Sequence, residues 1–389
     1  MSRLPWILAA LTLGIEAPAL LPPPFRLTDH VTFWYAGHLL ATGRDPYDAS
    51  LWELVAVSNV NVREVLDLGF VPWPYPPWTG FLFLPFGLLP VEIGLPALHA
   101  AYLVVALASA GALARLLPYR NAGTATLALL LVLTFQPLIY TLRIGHFGTF
   151  LFAGAVLATH GLVRRTIAPL AAGAVLLFAK PHLAVIFALV VFGVLLRRRD
   201  RRAIAWTAAS VVALAIVGLA FRPEALGALR AGAGERLSQL GSVDLGRFTN
   251  AWALANELAD GAWPLVGAAL LALAAAGALA TVRWSSPALR TWALGAVALS
   301  LSLFATPYVF SYDFLLLVPC GLVALALADA APPDRRVGLL ALSVATIAVV
   351  PWLLFLVGVA RTPIHALSGL VPLLFVLLAA WSARRATSP

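Results

Sequence analysis

Charged residues are scarce in this sequence, and cysteine is nearly absent. Asp, Glu, Lys and Arg make up 11 % of the 389 residues and hydrophobic residues 61 %, whereas a soluble domain carries about 25 % charge. This composition excludes a cytosolic enzyme, a disordered chain and a nucleic-acid-binding protein as leading interpretations, and it is typical of a multi-pass membrane protein. Cys320 is the only cysteine, so no disulfide can form within the chain.

The motifs of soluble nucleotide and metal chemistry are also absent. The sequence has no Walker A run, no dinucleotide fingerprint, no His-Glu-x-x-His motif, no Cys/His cluster and no Gly-x-Ser-x-Gly elbow. We therefore expect no cofactor and no nucleic-acid partner. No metal site is indicated either, although a divalent ion shared by Asp29 and another exterior acid is compatible with the sequence.

Apolar runs predict an all-α, polytopic integral membrane protein with a single transmembrane domain over residues 1–389. The first run lacks an Ala-x-Ala cleavage site after it, so we interpret it as an uncleaved span. The short runs 166–180 and 183–196 meet at Lys180 and predict either a tight hairpin or two shallow helices. Because a span needs about 20 apolar residues, we expect about 12 crossings, at 4–21, 92–117, 122–141, 147–163, 166–180, 183–196, 203–221, 263–283, 288–306, 309–328, 337–358 and 366–382.

Two exterior segments, 22–75 and 222–262, are too long to be simple connectors. In the first exterior loop, 28–42 and 46–66 predict short interfacial helices, with aromatic residues as membrane anchors: Trp34, Tyr35, Trp52, Trp73 and Trp78. The apolar segment 76–90 that follows is interrupted by four prolines, and we expect it to be re-entrant or interfacial.

The distribution of charge predicts the orientation. With the N-terminus inside, most acids lie on the exterior side, which is where we expect the chemistry. The positive-inside rule then predicts a protein of the bacterial inner (plasma) membrane with both termini cytoplasmic and an extracytoplasmic active site. Sixteen of the 26 basic residues fall in inside loops: Arg3, Arg115, Arg120, Arg164, Arg165, Arg197, Arg198, Arg199, Arg201, Arg202, Arg283, Arg290, Arg335, Arg336, Arg384 and Arg385.

Asp29 is the first candidate catalytic residue, because it follows the first span and has His30 and Trp34 nearby as candidate substrate-lining residues. A carboxylate at the membrane surface can take a proton from a sugar hydroxyl. The alternative is a helix N-cap formed by Asp29 or Thr28, which would satisfy free backbone N–H groups.

Four residues on the same side are candidates for binding the phosphate of a sugar donor: Arg143, His146, Lys180 and His182. Arg143 can hold a phosphate bidentately, or it can extend to the interface as a surface cation. A charge inside the membrane is a functional candidate by default. If 166–196 forms a hairpin, however, Lys180 simply reaches the exterior surface.

Three further motifs carry aromatic or acidic side chains. The segment 43–48 predicts a turn and a helix start, for which a structural role is favoured. The segment 73–78 shapes the return into the membrane, and its Tyr75 is a candidate for lining the substrate cavity. Tyr312 and Asp313 are candidates too, with Asp313 alternatively serving as a charge partner of a helix N-terminus.

The order of these motifs resembles glycosyltransferase family 87 over about 29–320. The similar motifs are Asp29 after the first span, Gly43-Arg44-Asp45-Pro46-Tyr47, Tyr75-Pro76-Pro77, Gly145-His146, Lys180-Pro181 and Thr306-Pro307 followed by Tyr312-Asp313. The resemblance implies a GT-C fold. It also implies the transfer of mannose from a polyprenyl-phosphate donor to a lipid or glycan acceptor, with inversion of the anomeric configuration. It also implies that Asp29 is the general base.

The sequence departs from the family pattern at two places. Gly145-His146 replaces the more usual Gly-Gln, and Tyr312-Asp313 lacks the histidine that would approach the donor phosphate. The phosphate candidates are therefore chosen on chemistry and not on motif. A polytopic transporter or lipid flippase is the main alternative function, but we find no repeated halves; a non-catalytic envelope scaffold is another.

Overall fold

A computed structural model describes residues 23–67, 72–221, 223, 227, 250–258, 262–306, 309–359 and 368–387. The predicted first span and most of the second exterior loop lie outside these described residues. No strand occurs in the part of the chain that is described, which is helical almost throughout. The all-α class is therefore confirmed.

The helices run in the following order: α1 (Asp29–Ala41), α2 (Val60–Asp67), α3 (Val91–Leu116), α4 (Ala122–Leu133), α5 (Gln136–Ile144), α6 (Gly148–Arg164), α7 (Ile167–Leu177), α8 (Val185–Arg197), α9 (Arg201–Phe221), α10 (Ala251–Leu258), α11 (Trp263–Trp284), α12 (Pro287–Ala305), α13 (Val318–Ala330), α14 (Pro333–Val344), α15 (Val350–Val359) and α16 (Leu370–Thr387). Single helical turns join several of them, at Ala49–Trp52, Glu53–Ala56, Pro77–Leu82, Leu84–Gly87, Pro181–Ala184 and Ser311–Leu317. A π-helical turn at Ala345–Val349 connects α14 to α15.

Seven helices of the described chain are long and apolar enough to cross a membrane, or eight if the bent pair α4–α5 is one span. Three shorter apolar helices occupy the predicted runs 147–163, 166–180 and 183–196. The protein is thus a polytopic membrane protein, as predicted, and the number of about 12 crossings stays a prediction.

The predicted crossing 122–141 is bent by 40° between α4 and α5. Pro137 occupies the first turn of α5 and has no N–H to continue the hydrogen-bond ladder. The break at Thr134 and Phe135 ends α4 and redirects α5, whose C-terminus then lies beside α1.

Helices α7 and α8 are two short helices with different main partners, because α7 packs on α6 and α8 packs on α12. With 11 and 13 residues they extend roughly 17 and 20 Å at 1.5 Å per residue, short of the roughly 30 Å hydrocarbon core. The segment after Pro76 covers the connection: the Trp78 indole N–H donates to the Phe178 carbonyl, and the Thr79 hydroxyl donates to the Ala179 carbonyl, both at 2.9 Å. The predicted re-entrant segment therefore packs against the connection between α7 and α8, where Lys180 is buried and does not reach the surface.

The predicted first exterior loop contains helices α1 and α2 and the short turns between them, and their interfacial position stays a prediction. Their tryptophans differ from expectation. Trp52 and Trp73 are buried and pack inside the protein, as Trp78 does on Phe178. Because each indole N–H needs a partner when it leaves water, backbone carbonyls of the protein replace the lipid headgroups for Trp52 and Trp78.

A buried carboxylate, Asp329, connects helices at the end of the bundle opposite to Lys180. Asp329, at the end of α13, accepts hydrogen bonds from the Arg120 and Asn121 backbone N–H groups, the Asn121 amide and the Thr124 hydroxyl, at 2.6 to 3.1 Å. It thereby caps α4 from a different helix. Basic residues gather at this same end, in the last turns of α3, α6, α8, α11 and α16.

Candidate active site

Helix α1 places Asp29 at its first position. Thr28 is the N-cap residue, but its hydroxyl donates to the Phe25 carbonyl at 2.8 Å and makes no capping bond. The Asp29 carboxylate is partly buried, and in the described part of the chain it accepts no hydrogen bond and forms no ion pair. The structure therefore does not show the capping alternative, and it leaves a carboxylate with unused acceptor capacity.

The electrostatic environment of Asp29 suits a general base. Burial raises the pKa of Asp29 to about 6, and the positive charge of Lys180 partly opposes this rise. Tyr102 and Tyr140 also lie within electrostatic range of the carboxylate. A base with a pKa near 6 is ionised at neutral pH and still has a substantial affinity for a proton.

His30 is fully buried and belongs to a hydrogen-bonded chain. Its Nδ1 lies 2.9 Å from the Thr28 hydroxyl and its Nε2 lies 3.1 Å from Nδ1 of His99 on α3. The Thr28 hydroxyl donates its proton to Phe25, so it can only accept from His30, whose Nδ1 must carry hydrogen. Burial lowers the pKa of His30 to about 3, with His99 as a lesser cause. His30 is therefore neutral, and its Nε2 accepts from His99.

Gly145 brings α5 against the start of α1. It ends α5 with φ +81°, a left-handed conformation that favours glycine. A Cβ at this position would lie 2.1 Å from His30 Nδ1 and 2.5 Å from the His30 backbone nitrogen. Glycine is thus required here for two reasons, the positive φ and the lack of room for a Cβ. The close contact places the next residue, His146, in the site.

His146 is fully buried among aromatic side chains. Its ring stacks on Tyr312 with a centroid separation of 4.1 Å, and its Nε2 lies 3.2 Å from the Tyr75 hydroxyl. Nδ1 of His146 has no hydrogen-bond partner among the described residues. Burial, with Lys180 as a lesser cause, holds the pKa of His146 well below its usual value, so the ring is neutral.

Lys180 and Asp313 form a buried ion pair. The Lys180 Nζ lies 2.7 and 2.9 Å from the two carboxylate oxygens, and the side chains are 3 % and 0 % exposed. Asp313 also accepts from the Phe310 backbone N–H at 3.1 Å, and Lys180 lies 5.1 Å from the centroid of the Tyr312 ring. Asp313 therefore holds the lysine in place, and its role in lining the substrate cavity stays a prediction.

The turn 43–48 has the structural role that the sequence favours. The Tyr47 hydroxyl donates to the Tyr75 carbonyl, and the Trp52 indole N–H donates to the Pro46 carbonyl at 2.9 Å. Asp48 caps the following turn through the Ser50 N–H. This loop fixes the backbone of Tyr75, whose side chain then reaches His146.

Three predicted site residues do not join the buried cluster. Trp34 points away from Asp29 along α1: its indole N–H donates to the Leu89 carbonyl and its ring stacks on His38, so it packs the helix against the re-entrant segment instead of lining the site. Arg143 is exposed in the last turn of α5. His182 is partly buried in the turn after Lys180, where its carbonyl accepts from the Thr306 hydroxyl.

Comparison with family models finds a match to glycosyltransferase family 87 over residues 73–307, more than half of the chain. The chain belongs to glycosyltransferase family 87. Comparison with curated proteins and with solved structures finds no significant match. The resemblance read from the motifs is therefore confirmed, and the protein is a multi-pass membrane glycosyltransferase by family and by its apolar helices.

The matched segment of this family 87 protein contains only part of the site. Tyr75, His146 and Lys180 lie within it, as do Arg143 and His182. Asp29 and His30 precede it, and Tyr312 and Asp313 follow it. Three-dimensional contacts, such as those of Lys180 with Asp313 and of His146 with Tyr312, connect the matched and the unmatched residues.

Sequence reasoning missed three residues that contact the cluster. Phe33, one helical turn after Asp29, packs on the rings of Tyr75, His146 and Phe147. His99 and Tyr102 on α3 lie beside His30. The available signal was a histidine and a tyrosine three residues apart in an apolar helix, since such a pair shares one face.

Among the described residues, no group of three His, Cys, Asp or Glu side chains is placed to hold a metal ion. The expectation that no metal is required stays a prediction.

Proposed function

We propose that this family 87 protein transfers mannose from a polyprenyl-phosphate donor to a hydroxyl of a lipid or glycan acceptor, with inversion, on the extracytoplasmic face of the inner membrane. The observation that carries the proposal is the Asp29 carboxylate. It accepts no hydrogen bond from the described residues, has a pKa of about 6, and lies within electrostatic range of a buried lysine.

Asp29 acts as the general base in the proposed reaction. The acceptor oxygen attacks the anomeric carbon and its proton passes to the Asp29 carboxylate. The bond between the anomeric carbon and the phosphate oxygen breaks, and its electron pair leaves with the polyprenyl phosphate. Attack from the face opposite the leaving group inverts the anomeric configuration.

Lys180 and His146 stabilise the departing phosphate in this mechanism. The Lys180 ammonium has three N–H groups, and Asp313 accepts from two of them, so the third is left for a phosphate oxygen. With Tyr75 donating to Nε2, neutral His146 offers its Nδ1–H as a second donor. Such preorganised donors stabilise the transition state most strongly when they point to the atom on which negative charge develops. Arg143 and His182, at the edge of the cluster, are proposed to contact the phosphate as it enters.

The polar residues support a transferase more than the transporter alternative. Asp29, His146, Lys180 and Asp313 come together at one end of the bundle, whereas transporters bind near the midplane between repeats. A lipid-linked donor also needs no nucleotide site, in agreement with the missing nucleotide motifs.

The test is an Asp29→Asn variant reconstituted in liposomes with radiolabelled polyprenyl-phosphate mannose and a lipid extract. We expect transfer to fall about 10²- to 10⁴-fold, the usual contribution of a general base. In the wild type, kcat/KM should fall as the pH is lowered through about 6, because protonation removes the base.

The matched control is Asp67→Asn, which neutralises an exposed acid on α2 and should leave transfer unchanged. An Asp29→Asn protein with wild-type turnover would exclude Asp29 as the base. Absence of labelled product from the wild type, with label moved across the bilayer, would favour a flippase.

A further inference from the structure

Helix α3 presents two polar side chains to the site from a predominantly apolar span. His99 and Tyr102 are three residues apart and therefore lie on one face of the helix. Both are buried, at 4 % and 0 % exposure. Polar groups inside a membrane span are costly and usually have a specific partner.

The partner of His99 is visible and shows how α3 is attached to α1. His99 Nδ1 donates to Nε2 of His30, and His30 Nδ1–H donates to the Thr28 hydroxyl. These bonds hold the first turn of α1, including Asp29, against the face of α3 that carries Tyr102.

The Tyr102 hydroxyl, in contrast, is buried and has no hydrogen-bond partner among the described residues. The ring is held in place by contacts with His30 and Phe150, at centroid separations of 5.7 and 5.4 Å. A buried hydroxyl without a partner is destabilising and requires an explanation. Asp29, within electrostatic range of Tyr102, is an acid whose carboxylate likewise accepts no bond from the described chain.

We propose that Tyr102 is a positioning residue for Asp29: in the substrate-bound state its hydroxyl donates a hydrogen bond to one carboxylate oxygen and aims the other at the acceptor hydroxyl. The proposal rests on the proposed role of Asp29 as the base and adds the group that orients it.

A bond from Tyr102 also affects the titration of Asp29. Hydrogen bonding to the charged form of a carboxylate lowers its pKa, so removal of the hydroxyl should raise that pKa. In the described chain, the other titratable groups around Asp29 are Lys180 from the α7–α8 turn, Tyr140 from α5, and the pair His30 and His99. These groups are unchanged in a Tyr102→Phe variant.

The experiment uses the full-length Tyr102→Phe protein in liposomes. Phenylalanine keeps the ring contacts, and we expect the melting temperature to stay the same or rise. Transfer from polyprenyl-phosphate mannose should fall about tenfold in kcat. The acidic limb of the kcat profile, which reports the substrate-bound enzyme, should move up by about one pH unit, as expected for loss of a hydrogen bond to a charged group.

A second readout needs no turnover. Infrared difference spectroscopy of protein saturated with polyprenyl phosphate follows the protonation of Asp29. The Asp29 band is the carboxyl band that is lost in Asp29→Asn. The titration midpoint should rise by about one pH unit in Tyr102→Phe. The control is Tyr119→Phe, which should not shift the midpoint. Tyr119 lies between α3 and α4, and its hydroxyl contacts the Leu322 carbonyl of α13.

The outcomes separate the two proposals. An unchanged midpoint and an unchanged pH profile in Tyr102→Phe would overturn the role of Tyr102. A shifted midpoint in a protein that transfers no sugar would support the bond between Tyr102 and Asp29 and refute the proposed function instead.

Discussion

At the scale of single residues, the meaning of a charge depends on its partner. Lys180 is the only lysine in the sequence, and its position alone left open whether it reaches the exterior surface or acts within the membrane. In the structure it is buried and paired with Asp313, a carboxylate on another helical segment that fixes the position of the ammonium group. In the proposed reaction, this pairing holds Lys180 in place for the donor phosphate.

We predict that breaking this pair destabilises the protein. Lys180→Met leaves Asp313 buried without its counter-ion, which typically costs about 3–5 kcal/mol. The double variant Lys180→Met/Asp313→Asn should recover a large part of that loss. Unfolding of the detergent-solubilised protein, measured by denaturant titration for the two single variants and the double variant, gives the coupling energy.

The exposed pair Arg63 and Glu53 is the control for that cycle. Its side chains are 43 % and 59 % exposed, and the corresponding variants should change the free energy of unfolding by no more than about 1 kcal/mol. Additive effects of Lys180→Met and Asp313→Asn would contradict the idea that the two groups form one unit.

At the scale of helices, the site depends on how closely two chain segments approach. Gly145 allows the end of α5 to contact His30 at the start of α1, and the hydrogen bond that His99 donates to His30 attaches α3 to α1. The bend after Thr134 and the connection between the short helices α7 and α8 bring the other side chains to the same place. Hydropathy predicts that these helices exist, but it does not predict that they break and meet here.

The prediction at this scale is that Gly145→Ala disrupts the site. The added Cβ would lie 2.1 Å from His30 Nδ1, so α1 must move, and with it Asp29. We expect a loss of stability greater than the roughly 1–2 kcal/mol of a left-handed alanine, together with loss of transfer. Thermal unfolding and the liposome assay measure the two effects.

Gly43→Ala separates strain from contact. Gly43 also has a positive φ, +70°, but a Cβ there would meet nothing within 4 Å. It should show only the conformational cost and retain transfer. Equal effects of the two substitutions would mean that the contact between Gly145 and His30 does not matter.

At the scale of the whole molecule, the two ends of the bundle differ in charge. The end of the described bundle with Asp329 carries arginines in the last turns of five helices, whereas the other end carries Asp29, Lys180 and Asp313. From the positive-inside rule we predict that the arginine-rich end lies in the cytoplasm. The active site would then face the exterior, where a lipid-linked sugar can be used without a nucleotide.

Single cysteines test this orientation. In a Cys320→Ala background, Arg202→Cys should react with a membrane-impermeant maleimide only after the cells are opened, and Arg44→Cys should react in intact cells. Both positions are exposed. The reverse labelling pattern would contradict an extracytoplasmic site.

The sequence by itself determined the all-α membrane class, the positions of most helices and the segregation of charge, because hydropathy and charge are local properties that recur along the chain. It also identified Asp29, His146 and Lys180 as candidates, since polar residues are rare in such a composition.

Only the tertiary structure decided the pairings. Lys180 and Asp313 are 133 residues apart, and His30 and His99 are 69 apart. Side-chain direction likewise distinguishes Trp34 from Tyr102. The Trp34 indole N–H donates to the Leu89 carbonyl, whereas Tyr102, which sequence reasoning missed, lies beside His30. Such contacts depend on packing between helices, and a pattern along one chain does not specify which helix faces meet.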